Sequence, residues 1–190
     1  MKKMIVGLVA VLAFVMIFAA ASPALALPTK AETFTAGSIA PTLSPGTVTV
    51  TDNTIDLKDK VIQLHFSGSP WGTGTATETL DAKIDATSLT GTGIGSAEET
   101  FASAKAEGIV IYKFNGPGPY TYEGPTMTVG TTTVTHGSIH GGLLVSYEGV
   151  LYGTTNAGKG LLIKVEGTGV VISSGDYGIN YETDTYCYTW

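Results

Sequence analysis

From Gly141 onward the chain alternates between apolar and polar positions. Leu143, Val145, Tyr147 and Leu151 share one parity, with Ser146 and Glu148 on the other. After a Thr-Thr-Asn-Ala-Gly-Lys-Gly break, Leu161, Ile163, Val165 and Val171 repeat the pattern against Lys164, Glu166 and Thr168. A period of two belongs to a half-buried strand, because successive side chains leave opposite faces of the pleat. The break at Asn156 to Gly160 is short enough to make the two runs antiparallel neighbours.

The same texture recurs upstream and downstream. Ile62, Leu64 and Phe66 alternate with Gln63, His65 and Ser67, and Thr47 to Thr51 alternates Thr with Val. Thr33 to Ala40 reads as a weak strand, Ile109 to Phe114 and Ile179 to Trp190 as strong ones. Leu80, Ala82, Ile84 and Ala86 oppose Asp81, Lys83 and Asp85 inside a Thr- and Ala-rich segment from Thr73 to Thr92. That segment reads as one long strand or a bulged hairpin, with Gly91, Gly93 and Gly95 supplying a bend. Tyr120 to Gly130 and Thr131 to Ile139 form a hairpin reversing near Gly130. Turn signals fall at Pro41 to Gly46, at a charged loop of Asp52-Asn53 and Asp56 to Lys60, at Ser69 to Gly72, at Asn115 to Pro119 and at Gly175 to Gly178. One segment fits two descriptions. Ser96 to Gly108 carries a capping box (Ser96 with Glu99), an Ala/Glu/Lys interior and a glycine stop, so it is either a short helix or more strand.

Nine to eleven strands in succession, with at most one short helix, predict an all-β antiparallel meander. Long amphipathic strands with glycines at bending points favour a barrel; a two-sheet sandwich is the alternative.

The first residues change the compartment. Met1-Lys2-Lys3 is a basic start, Met4 to Ala21 is apolar, and Ala24-Leu25-Ala26 is a small-x-small cleavage site. This is the pattern of a secretory signal peptide over residues 1–26, leaving one all-β domain from 27 to 190. The expected location is extracellular, periplasmic or cell-surface. A span through a membrane is the other reading of the apolar run.

Charge excludes some partners. Sixteen acidic residues face ten lysines, for a net charge of −6, and arginine is absent. Without a basic groove or a guanidinium fork, nucleic acid is a poor partner, and anionic lipid headgroups are equally so.

Candidate chemistry is sparse. His65, His136 and His140 are the only imidazoles. Positions four apart on a strand lie about 13 Å apart, so His136 and His140 share a divalent metal only if Gly137 breaks the strand, with His65 brought in by the fold. Beyond that weak option no cofactor is implied. Asp52, Asn53, Asp56 and Asp59 offer oxygen ligands, but not at EF-hand spacing. Carboxylate pairs at Glu98 with Glu99, Asp81 with Asp85, and Glu148 with Glu166 are candidates for acid and base. Glu148 and Glu166 lie on paired strands, so they would share a lumen if their face were the inner one. No nucleophile elbow is present, and an enzyme is the less favoured class.

Trp71, Tyr112, Tyr120, Tyr122, Tyr147 and Tyr152 are the candidate contacts for a small molecule or surface glycan. Cys187 is the only cysteine, so it is a buried thiol or the link of a disulfide-bonded dimer. Tyr186, Tyr188 and Trp190 alternate up to the terminus, and these few residues resemble the closing strand of bacterial outer-membrane barrels. That resemblance implies a small lipid-embedded barrel, the membrane-bound alternative to an exported binding or envelope protein.

Overall fold

In the computed structural model, which describes residues 31–43, 46–172 and 177–188, every helix or strand described is a strand. The signal-like segment, the leader Leu27 to Lys30, Gly175 and Asp176 of the expected turn, and Trp190 lie outside the described residues. The elements are β1 (Glu32–Leu43), β2 (Thr47–Thr51), β3 (Thr54–Ser67), β4 (Gly74–Asp85), β5 (Thr90–Phe101), β6 (Ala104–Pro117), β7 (Tyr120–Tyr122), β8 (Met127–Val129), β9 (Thr132–Val134), β10 (Gly137–Ile139), β11 (Leu143–Thr155), β12 (Gly160–Ile172) and β13 (Tyr177–Tyr188).

Eight of them close into a ring. The hydrogen-bonded order runs β1-β13-β12-β11-β6-β5-β4-β3, and β3 pairs again with β1. All pairings are antiparallel, so the meander expected from the sequence closes as a barrel and not as a sandwich. Closure leaves the eight wall strands with partners on both sides, which suits a chain rich in Thr and Val.

Alternation decides which side chains go inside. Even-numbered residues of β4, β6 and β13 and odd-numbered residues of β5, β11 and β12 point inward, and the buried core follows that parity: Leu80, Ala97, Val110, Leu151, Ile163 and Tyr186. The paired runs around residues 143 to 172 are β11 and β12, in register from Leu143 opposite Val171 to Thr154 opposite Gly160.

Two open readings are decided, Ser96 to Gly108 as strand and Thr73 to Thr92 as a hairpin, and one expectation, the loop at Asp56 to Lys60, is corrected. Ser96 to Gly108 is not a helix but the end of β5, a turn at Ala102-Ser103 and the start of β6. Pairing each residue across a hairpin satisfies the same backbone groups, and it buries Ala97, Phe101, Ala104 and Ala106 at period two. Thr73 to Thr92 is not one strand: Asp85 receives the Thr87 and Ser88 N–H groups at 3.0 and 2.8 Å and turns β4 into β5. Asp56 to Lys60 belongs to β3, not to a loop. Its register shift between Leu57 and Lys60 is held by Asp81, which accepts from Lys58 Nζ at 2.5 Å and from the Asp59 N–H at 2.8 Å.

Between β6 and β11 the chain leaves the barrel. β8 and β9 form the hairpin around Gly130, nested beyond the β7–β10 pair. This excursion lies on the outer face of β1, β12 and β13, where Tyr120, Tyr122 and Met127 cover Ile39, Val170 and Ile179 in a second apolar cluster. Tyr122 is fully buried and lies against Gly37, where an added Cβ would collide with the phenol.

Candidate functional site

The barrel interior holds a layer of acids that parity put there. Glu78 follows Ala76 and precedes Leu80 on the inward side of β4, Glu99 sits between Ala97 and Phe101 on β5, and Glu182 and Asp184 precede Tyr186 on β13. Two tyrosines meet them. Tyr112 of β6 donates to Glu78 Oε2, and Tyr147 of β11 donates to Glu182 Oε2 at 2.8 Å. The two phenol rings lie 5.8 Å apart. The space for the second ring comes from Gly167, where an added Cβ would stand 2.5 Å from Tyr147 Cζ.

Among the described residues no cation balances these groups. Of the described lysines, Lys60 is half-buried and the rest are exposed. Burial therefore dominates, because an ionised carboxylate loses its hydration without gaining a counter-ion. It pushes Glu78 up to about 7, against the pull of the Tyr112 hydrogen bond, and raises Glu99 well above its ordinary value. Glu182 is raised by burial against its bond from Tyr147. Asp184 is pushed up to about 10 by burial and by the neighbouring Glu182 and Glu99, and its Oδ1 has no hydrogen-bond partner. Tyr112 and Tyr147 are raised well above 10, again chiefly by burial.

Glu78, Glu99, Glu182, Tyr112 and Tyr147 surround a cavity of about 10 Å³, with Ser38 and Asn180 completing the polar lining. That is room for about one water. Burial there favours protonated carboxyls, the Tyr112 and Tyr147 hydroxyls hold Glu78 and Glu182 in place, and an organic substrate does not fit.

Both barrel ends are filled. At one, Trp71 packs edge-on against Tyr186, Phe101 and Phe34, with centroids 4.8, 5.1 and 5.5 Å away. Its Nε1–H donates to Tyr188 Oη at 3.4 Å. At the other, Ile84, Phe114 and Val145 close the interior.

The outer wall is different. Across β5, β6, β11, β12 and β13 an open depression of about 800 Å³ is bordered by Thr92, Lys113, Ser146, Thr168, Thr183 and Thr185. Glu148 and Glu166 stand directly opposite each other within it, and Lys164 Nζ reaches Glu166 at 3.2 Å. The expectation that these two acids could line a lumen is thereby corrected: they take the outward parity, opposite to Tyr147 and Val165.

The other candidates separate as follows. Trp71, Tyr112 and Tyr147 are inside the barrel, Tyr120 and Tyr122 are buried beneath the excursion, and only Tyr152 is presented to solvent, 59% exposed. His65 is on the outer face of β3, while His136 and His140 are exposed around β10. The fold does not gather them: among the described residues no three His, Cys, Asp or Glu side chains are grouped to hold a metal ion. The same holds for the oxygens of Asp52, Asp56 and Asp59. Cys187 is a free thiol, half-buried, opposite Leu162 on the barrel wall.

Glu78, Glu182 and Asp184 were missed as site residues. The signal was present: an acid standing at the apolar parity of an alternating strand, as Glu78 does in line with Leu80, Ala82 and Ile84. Fold and interior together define a closed eight-stranded antiparallel barrel with a carboxyl-rich packed core. In comparisons with known proteins the chain matches no family model, no curated protein and no solved structure.

Proposed function

We propose that this is an exported, non-enzymatic barrel that serves as a binding or envelope component through its outer wall. The observation that carries the reading is the contrast between a lumen of about 10 Å³ and an outer depression of about 800 Å³. Ligand sites ordinarily occupy roughly 300–1,000 Å³. The depression is lined by hydroxyls of Thr92, Ser146, Thr168 and Thr183, with Glu148 and Glu166 as acceptors and Ile111 as an apolar contact. Hydroxyls and carboxylates beside a small apolar surface suit a polyhydroxylated ligand such as a surface glycan.

A lipid-embedded barrel is less well supported. Lys83, Glu98, Lys105, Glu107 and Lys113 are exposed on the outer face of consecutive strands, where hydrocarbon would penalise each charge by up to ~2–4 kcal/mol at mid-bilayer. The wall suits water.

The test is titration of the protein with soluble oligosaccharides followed by calorimetry, alongside Glu148→Gln and Thr168→Val variants. Saturable binding that weakens tenfold or more in both variants is expected. Binding indifferent to both substitutions would place the ligand elsewhere, and turnover of any oligosaccharide would end the non-enzymatic reading.

A further inference from the structure

β2 is the one strand of the nine-stranded sheet whose second edge has no partner among the described residues: it pairs with β3 alone and ends the sheet order. All five of its residues are exposed, with Val48 at 54% and Val50 at 63%. Edge strands ordinarily carry a lysine, a proline, a bulge or a covering loop that blocks further pairing. Thr47-Val-Thr-Val-Thr51 carries no charge, no proline and no register shift.

The segment is also a palindrome centred on Thr49. A two-fold contact requires the same surface to complement itself, so that each residue meets its mirror position in the partner. Run antiparallel against a second copy, Thr47 falls opposite Thr51, Val48 opposite Val50, and Thr49 opposite itself. Asp52 falls opposite Gly46, so no like charges meet.

The backbone agrees. Thr51 and Thr54 flank the two-residue turn Asp52-Asn53 and close it. In such a hairpin the flanking pair is hydrogen-bonded, so Thr47, Thr49 and Thr51 direct their N–H and C=O groups to β3. Val48 and Val50 direct theirs away. In the palindromic register these are the two residues that face each other, and each pair exchanges both of its bonds.

We propose that β2 is a homodimerisation edge, pairing antiparallel with β2 of a second copy of this chain about a two-fold axis at Thr49. Five residues a side bury far less than the ~1,200–2,000 Å² of a stable interface, so the dimer is weak and concentration-dependent. Val48 and Val50 stack on their counterparts over the rim formed by Ile55 and Leu57.

Cross-linking tests the register directly. In a Cys187→Ser background, Thr49→Cys puts two thiols on the axis in a non-hydrogen-bonded pair, whose Cα atoms stand about 4.5 Å apart, within disulfide reach. Val48→Cys puts them on a diagonal about 7–8 Å apart, beyond it. Mild oxidation is expected to link Thr49→Cys into dimers at least tenfold faster than Val48→Cys. Sedimentation of the protein is expected to show mass rising with concentration. Val48→Pro, which removes only an outward N–H, and Val50→Lys are each expected to weaken that association tenfold or more without changing the melt. A monomer at all concentrations, equal cross-linking at the two positions, or a dimer untouched by both edge variants would overturn the proposal. A dimer that instead depends on Cys187 would do the same.

Discussion

Replacing Glu78 with Gln should change how stability depends on pH. In the folded barrel Glu78 is buried, accepts from Tyr112 and is pushed from 4.5 up to about 7. In the unfolded chain it is an ordinary solvated carboxyl. Between those two values the folded state holds a proton that the unfolded state has released, so folding weakens as pH rises. The stability is fully present below about pH 4.5, is lost through about pH 7, and does not change further from this group above that. At 1.36 kcal/mol per pH unit of difference, the loss is about 3 kcal/mol, a large share of the ~5–15 kcal/mol that holds a domain of this size. Asp184, pushed up to about 10, carries the decline into alkaline pH, and Glu99, also raised by burial, acts in the same direction. Asp81 and Asp85 act in the other direction. They are exposed and held below 3.8, Asp81 by Lys58 and Asp85 by the Ser88 turn, so their contribution is lost only as pH falls below that value. The two windows do not overlap. Urea unfolding followed by circular dichroism from pH 4.5 to 8 is the assay. Glu78→Gln keeps an acceptor for Tyr112 and removes the ionisation, so its stability should fall about 3 kcal/mol less across this range than that of the unsubstituted protein. Equal slopes in the two proteins, or stability of the parent rising from pH 4.5 to 7, would refute the assignment of Glu78 to a counter-ion-free interior.

Other substitutions probe the packing around that layer. Gly167→Ala forces a methyl into the Tyr147 ring and should cost about 1–3 kcal/mol, read as a lowered melting temperature; an unchanged melt would show the ring has room to move. Trp71→Ala empties the aromatic end of the barrel and should cost about 3–5 kcal/mol, with loss of near-ultraviolet dichroism. Tyr122→Ala removes the fully buried anchor of the excursion. Proteolysis between residues 123 and 136 should accelerate at least tenfold while the wall strands stay protected, and a uniform loss of protection would mean that the excursion and barrel unfold together.

The legible and illegible parts of this protein divide along the range of the interactions involved. Strand periodicity is local, so β11 and β12 could be read with their faces and their turn, as could the Gly130 hairpin. Ser96 to Gly108 was ambiguous because Ala, Glu and Lys suit a helix and tolerate a strand; partners in β4 and β11 decided it. The acid layer was half visible. Parity alone put Glu78 on the side of Leu80, yet for Glu148 and Glu166 parity named a shared face without saying whether it looked inward. Five of the aromatic candidates are buried for a related reason: Trp71, Tyr112, Tyr147, Tyr120 and Tyr122 are large apolar groups, and a closed barrel with a covered flank had interior space for them.

By itself, then, the amino-acid order determined that the chain would be strands joined by turns, which residues share a face, and that no basic surface would form. Those follow from steric alternation and charge within a few residues. Only the tertiary structure decided that β1 meets β13 and β3, that four acids converge with no cation beside them among the described residues, and that the histidines stay apart. Those depend on contacts between residues distant in the chain, where closure of the ring chooses one face of every strand as the inside.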